Sequence, residues 1–138
     1  MIKLLPQHIK IILGLVVGWR LILTLTSLFI DKWLPFATVD RYLGGGSALH
    51  FTGPELFGWA NFDGEHYLSI AIFGYRSLEH AFFPLFPGLL SIASNLAGGS
   101  FFNQLFSATI WGLFLTHVSL VLGLILVWEI IKYQSKDS

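Results

Sequence analysis

The chain has 138 residues, of which 54% are hydrophobic and 12% charged, with a mean hydropathy of +0.70 and a formal net charge of zero. Soluble domains carry about 25% charged residues, so roughly half of the usual surface charge is missing and water is excluded as the main solvent. Zero net charge leaves no electrostatic footprint for nucleic acid, and the lack of cysteine rules out disulfides, zinc–thiolate sites and a cysteine nucleophile.

Residues 1–10 form a short basic tail with Lys3, His8 and Lys10. Residues 11–30 then run apolar, with Arg20 as their only charge. At 1.5 Å per residue, about twenty residues cover the roughly 30 Å hydrocarbon core. A signal peptide also begins with basic residues, but its apolar region is about 7–15 residues long and ends in small residues. This run is longer, holds an arginine and ends Phe29-Ile30-Asp31-Lys32-Trp33. It predicts a retained transmembrane helix.

Residues 31–81 form a long glycine-rich loop, and loops of such length are functional or disordered. Gly44-Gly45-Gly46-Ser47 is flexible in character, and Thr52-Gly53-Pro54-Glu55 has the composition of a turn. The aromatics Trp33, Phe36, Tyr42, Phe51, Phe57, Trp59, Phe62 and Tyr67 argue against disorder. Trp and Tyr favour the headgroup layer, which places this loop on an external membrane face. Within it, Tyr67, Ile70, Ala71 and Gly74 share a helical stripe, with Ser69 off it. That pattern predicts a short interfacial amphipathic helix, capped by Asn61 or Asp63 and ended by a left-handed Gly74.

Residues 82–97 are apolar but carry Pro84, Pro87, Ser94 and Asn95. The prolines suit a helix entered at its first turn. Residues 106–131 make a further apolar run, interrupted by His117 and Glu129. The expected architecture is an all-α integral membrane protein of about three transmembrane helices (11–30, 82–97 and 106–131), forming a single membrane domain over 1–138. Lys3 and Lys10 favour a cytoplasmic N-terminus. Three crossings then put Lys132 and Lys136 outside, against the positive-inside tendency; a re-entrant 82–97 segment removes that conflict.

Trp59-x-x-Phe62-Asp63-Gly64-x-His66-Tyr67-Leu68-x-Ile70-Ala71-x-x-Gly74-Tyr75 is followed by Ala81-Phe82-Phe83-Pro84-Leu85-x-Pro87. This pattern resembles the signature of the PIG-V-type mannosyltransferases, the GPI mannosyltransferase II family and its prokaryotic relatives in the GT-C superfamily. The likeness extends over about Gly14 to Val127, the N-terminal portion of such an enzyme, and implies a fragment of a larger GT-C fold. It implies an inverting mannosyltransferase that moves mannose from a polyprenyl- or dolichyl-phosphate donor to a lipid-linked or glycan acceptor. The membrane would be the plasma membrane in a prokaryote and the endoplasmic reticulum in a eukaryote.

By that resemblance Asp63 matches the catalytic base of the first external loop. An acceptor hydroxyl is a poor nucleophile until a carboxylate takes its proton, and one-step displacement through an oxocarbenium-like state inverts the sugar carbon. The leaving lipid phosphate needs cationic or hydrogen-bonding support, for which His66, Arg76 and His80 are candidates. Tyr67 and Glu79 complete the expected substrate-binding set. Asp63 also suits a helix cap or an Asp-Gly turn, and Glu65 a first-turn acid favoured by the helix dipole. No His-x-x-x-His or Asp-x-Asp spacing occurs, so no metal and no cofactor is expected. A non-catalytic membrane subunit that keeps the fold is the alternative. Arg20 in mid-span calls for an acidic partner or a water-filled groove, and His117 fits an interhelical polar contact.

Overall fold

The computed structural model of the chain describes residues 5–30, 33, 54–76 and 79–135. The Gly44–Ser47 stretch expected to be flexible, the Thr52-Gly53 half of the predicted turn, Lys3 and Lys136 lie outside them. Among the described residues every regular element is helical. These are α1 (Gln7–Ile30), α2 (Pro54–Phe57), a 3₁₀ turn at Gly58–Ala60, α3 (Asp63–Phe73), a 3₁₀ turn at Glu79–Ala81, α4 (Leu85–Ala97) and α5 (Phe101–Gln134).

Two of these helices, α1 and α5, are long and apolar enough to cross a membrane. Both helices begin earlier than the apolar runs expected at 11–30 and 106–131, because Gln7, His8 and Lys10 in α1 and Asn103 and Gln104 in α5 continue the helical turns. Most of their Leu, Ile, Val, Phe and Trp side chains are exposed on the surface, as suits lipid rather than water as the surrounding medium. The third expected span is a 13-residue helix that rises only about 20 Å, against roughly 30 Å of hydrocarbon. It starts at Leu85 rather than residue 82 because Pro84 sits at its N-cap. Pro87 falls in the first turn, where its missing N–H costs no hydrogen bond.

The contacts divide the chain into two compact units, residues 1–34 with 115–138 and residues 35–114. In the first unit, the opening turn of α1 meets the end of α5. His8 stacks on Trp128 with centroids 5.7 Å apart, and its Nε2 lies 3.5 Å from Oε1 of Glu129. Lys132 reaches the other oxygen of Glu129 at 4.0 Å.

The second unit is built on α3, α4 and the first turns of α5. Leu105 and Ala108 are fully buried, and Phe57 and Leu90 nearly so. Gly112 of α5 faces Leu90 of α4 closely: a Cβ there would stand 3.2 Å from Cδ2 of Leu90, so glycine permits the approach. The Ser107 hydroxyl donates to the carbonyl of Ala93 at 3.1 Å across the same seam. Burial along α3 departs from the single stripe expected: Leu68, Ser69, Ile70 and Ala71 are all buried, a whole turn enclosed by protein. Ser69 belongs inside because its hydroxyl has a polar partner there, described below.

Candidate functional site

The helix carrying the candidate acid starts in an unexpected way. Its N-cap is Phe62, at φ 58° and ψ −121°, and no side chain caps it. Asn61 and Asp63 therefore do not cap α3 as expected; Asp63 is already its first helical residue. The backbone instead closes the start, with the Gly64 N–H donating to the Asn61 carbonyl and the Glu65 N–H to the Phe62 carbonyl. A non-glycine residue at positive φ costs on the order of 1–3 kcal/mol. That conformation leaves the Phe62 ring 88% exposed beside Asp63. At the other end Gly74 does close α3, its N–H donating to the Ile70 carbonyl at 2.9 Å. Its angles, φ 76° and ψ 176°, are extended rather than left-handed helical, a region open to glycine alone.

Asn61, Phe62, Asp63, Glu65 and His66 line one cleft of about 330 Å³. Oδ1 of Asn61 is buried and has no hydrogen-bond partner among the described residues, which costs about 1–3 kcal/mol. His66 lies one helical turn beyond Asp63, so their side chains share a face. Its ring stacks on Phe82 with centroids 4.9 Å apart. Its Nδ1 lies 3.8 Å from Oε1 of Glu79.

Glu79 is the acid that the fold holds most firmly, with only 7% of its surface exposed. The Arg76 N–H donates to its Oε2 at 3.0 Å, and the Glu79 N–H returns to the Arg76 carbonyl at 2.9 Å. Burial works to raise its pKa. The Ser69 hydroxyl, the Arg76 N–H and the positive charge of Arg76, with the His66 ring beside them, together outweigh that effect, and the carboxyl is held below its ordinary range. Ser69 in turn accepts from Nη2 of Arg76 at 2.8 Å. Arg76 lies over the Phe73 ring, 4.5 Å from its centroid. The cluster therefore ties the turn at Glu79–Ala81 to one face of α3, through residues 66, 69 and 76.

Of the six site residues expected from sequence, Asp63 and His66 line the cleft and Glu79 joins it through His66. Tyr67 is not among the residues lining the cleft; it packs edge-on against Phe82 and Phe86 at 5.1 and 5.2 Å. His80 stacks on Tyr75 at 5.6 Å, and the Tyr75 hydroxyl donates to the Phe82 carbonyl at 2.9 Å. Arg76 is occupied with Ser69 and Phe73. The contributions of Asn61, Ser69 and Phe82 were not anticipated. The i, i+3 spacing of His66 and Ser69 was the available signal, since it puts both on the face that meets Glu79. Among the described residues no group of three or more His, Asp or Glu is placed to hold a metal ion.

The fold defines an all-helical protein with two helices of membrane-crossing length and a polar cleft at the start of a third. No family model, curated protein or solved structure matches the chain.

Proposed function

We propose that the chain is the loop-bearing N-terminal part of a multi-pass integral membrane mannosyltransferase, with Asp63 as the base of an inverting transfer from a polyprenyl-phosphate donor. The observation that carries this reading is the cleft itself. In the stretch resembling the mannosyltransferase signature, a carboxylate opens a helix beside an exposed aromatic ring, a second acid and an imidazole. A carboxylate there takes the acceptor proton as the acceptor oxygen attacks the sugar carbon. The departing lipid phosphate keeps the electron pair of its bond to that carbon. Arg76 and His80 remain the candidates for meeting the phosphate, and the acceptor is a lipid-linked or glycan hydroxyl.

The contact of His8 with Glu129 and Trp128 supports a membrane arrangement in which the start of α1 and the end of α5 share one face. With α1 and α5 as the crossings and the short α4 re-entrant, Lys10 and Lys132 fall on the same side, in keeping with the positive-inside tendency. The membrane is the plasma membrane in a prokaryote or the endoplasmic reticulum in a eukaryote.

The test is Asp63→Asn in the enzyme that contains this chain, with transfer of mannose from polyprenyl-phosphate mannose as the readout. Asparagine keeps the size of the side chain, and no capping bond is at stake. Loss of a base should lower turnover by about 10²–10⁴, with thermal melting in detergent unchanged. No transfer by the parent, or near-normal transfer by Asp63→Asn, refutes the reading.

A further inference from the structure

His66 and Glu79 are thirteen positions apart, and no sequence spacing pairs them with each other. Yet Nδ1 of His66 lies 3.8 Å from Oε1 of Glu79, within ion-pair reach though longer than a hydrogen bond. Three features make this pair more than a surface contact. The carboxylate is buried and anchored: its Oε2 takes the Arg76 N–H at 3.0 Å, which leaves Oε1 toward the imidazole. The imidazole is fixed in plane by stacking on Phe82 at 4.9 Å. The same imidazole is one of five residues lining the Asp63 cleft, with its side chain about half exposed.

A carboxylate facing one ring nitrogen of a histidine selects the tautomer with hydrogen on that nitrogen and leaves the other nitrogen as an acceptor. We propose that Glu79 and His66 act as one carboxylate–imidazole pair serving the Asp63 cleft, with Nδ1 carrying the hydrogen toward Glu79 and Nε2 receiving the proton that Asp63 takes from the bound ligand. Glu79 is then a positioning residue that acts through His66. For the identity of its ligand the pair rests on the mannosyl-transfer reading; for its geometry it does not. In that reaction the acceptor O–H bond breaks as the new C–O bond forms. The bond from the sugar carbon to phosphate oxygen breaks with its electron pair on the lipid phosphate. The proton taken by Asp63 passes to Nε2 of His66 and from there to water, returning both groups to their starting state.

Glu79→Gln makes a sharp test, because the substituted amide has one acceptor and one donor end. The Arg76 N–H and the Ser69 hydroxyl both need an acceptor, so the amide oxygen stays with them and the NH₂ turns toward Nδ1 of His66. Two donors cannot face each other, so the imidazole must lose its Nδ1 hydrogen and carry it on Nε2. Nitrogen-15 spectra of the neutral imidazole, in the histidine-labelled chain in detergent micelles at mildly alkaline pH, distinguish the two forms. His66→Gln identifies the signal. The expected result is the Nδ1–H form in the parent and the Nε2–H form in Glu79→Gln. An Nε2–H form in the parent, or the same tautomer in both, overturns the pair. Should Glu79→Gln fail to fold, Glu79→Asp keeps the charge but withdraws it by one methylene, and a mixture of tautomers is expected; an unmixed Nδ1–H signal refutes the proposal.

A purely structural Glu79 would leave the catalytic step alone in folded protein. Glu79→Gln should instead lower kcat for mannosyl transfer by about 10² or more with KM within a few-fold. Inverted tautomer with unchanged kcat refutes the proton role. Absence of transfer in the parent refutes the mannosyl-transfer reading, while the spectra still decide whether the pair exists.

Discussion

Replacing Glu79 by alanine should loosen the turn that holds His66, and the structure allows the size of the effect to be worked out. The carboxylate accepts from the Arg76 N–H and the Ser69 hydroxyl. Hydrogen bonds to a charged group are worth about 1.5–3 kcal/mol each. Glu79→Ala removes both and leaves two donors without that acceptor in a buried place, so a loss of about 3–5 kcal/mol is expected. Glu79→Gln keeps an oxygen for Arg76 and should lose about 1–2 kcal/mol. A loss of about 3 kcal/mol is roughly 150-fold in an opening equilibrium, which amide hydrogen exchange at Arg76, Glu79 and Phe82 in detergent reads directly. The pH dependence carries the sign. The folded carboxyl titrates below its unfolded value of about 4.3, so its stabilisation is present above that pH and is lost as the pH falls through the folded value. Melting curves should therefore show the parent losing its advantage over Glu79→Gln in that acid range. Exchange rates in Glu79→Ala within threefold of the parent, or parallel acid slopes for parent and Glu79→Gln, would refute the reasoning.

Further predictions follow from the helix contacts. Single cysteines at Gln7 and Ser135, in a chain that has none of its own, should label from one side of the membrane, and a cysteine at Ser100 from the other. Labelling of Gln7 and Ser135 from opposite sides would refute the two-crossing arrangement. Gly112→Val places branched carbons where even a Cβ would stand only 3.2 Å from Leu90, and overpacking of this kind costs about 1–3 kcal/mol. Gly123→Val, with nothing within 4 Å of its Cβ position, should cost less in the same melting assay; equal losses would show that contact with α4 is not the cause.

The two long helices were legible because the apolar runs report solvent directly: each exceeds the length a bilayer requires, and α1 and α5 are those runs extended by a few polar residues. The position of α4 was legible too, from Pro84 and Pro87, but not its length. Apolar composition alone counted residues 82–84 into a helix that the proline geometry starts only at Leu85. Hydrophobic periodicity misjudged α3 for a different reason. It assigns a polar side chain to the wet face, whereas Ser69 is buried because its hydroxyl serves Glu79 and accepts from Arg76. A one-dimensional pattern cannot distinguish a solvated serine from one satisfied by partners seven and ten positions later.

The same limit explains why Asp63 and Glu79 changed places in structural weight. Asp63 stood out in sequence because it heads a recognisable run, and it opens α3 at the mouth of the cleft. Glu79 stood out less, as a polar residue before a proline motif, yet it is the buried acid that fixes both the turn and the imidazole. An exposed carboxylate adapts to a ligand and to water; a buried one with two donors has a fixed position and a fixed charge. The proposed mannosyl transfer would use both kinds, one to meet the substrate and one to hold the group beside it. The division of labour between Asp63, on the cleft, and Glu79, behind His66, follows from where the backbone puts each acid rather than from the acids themselves.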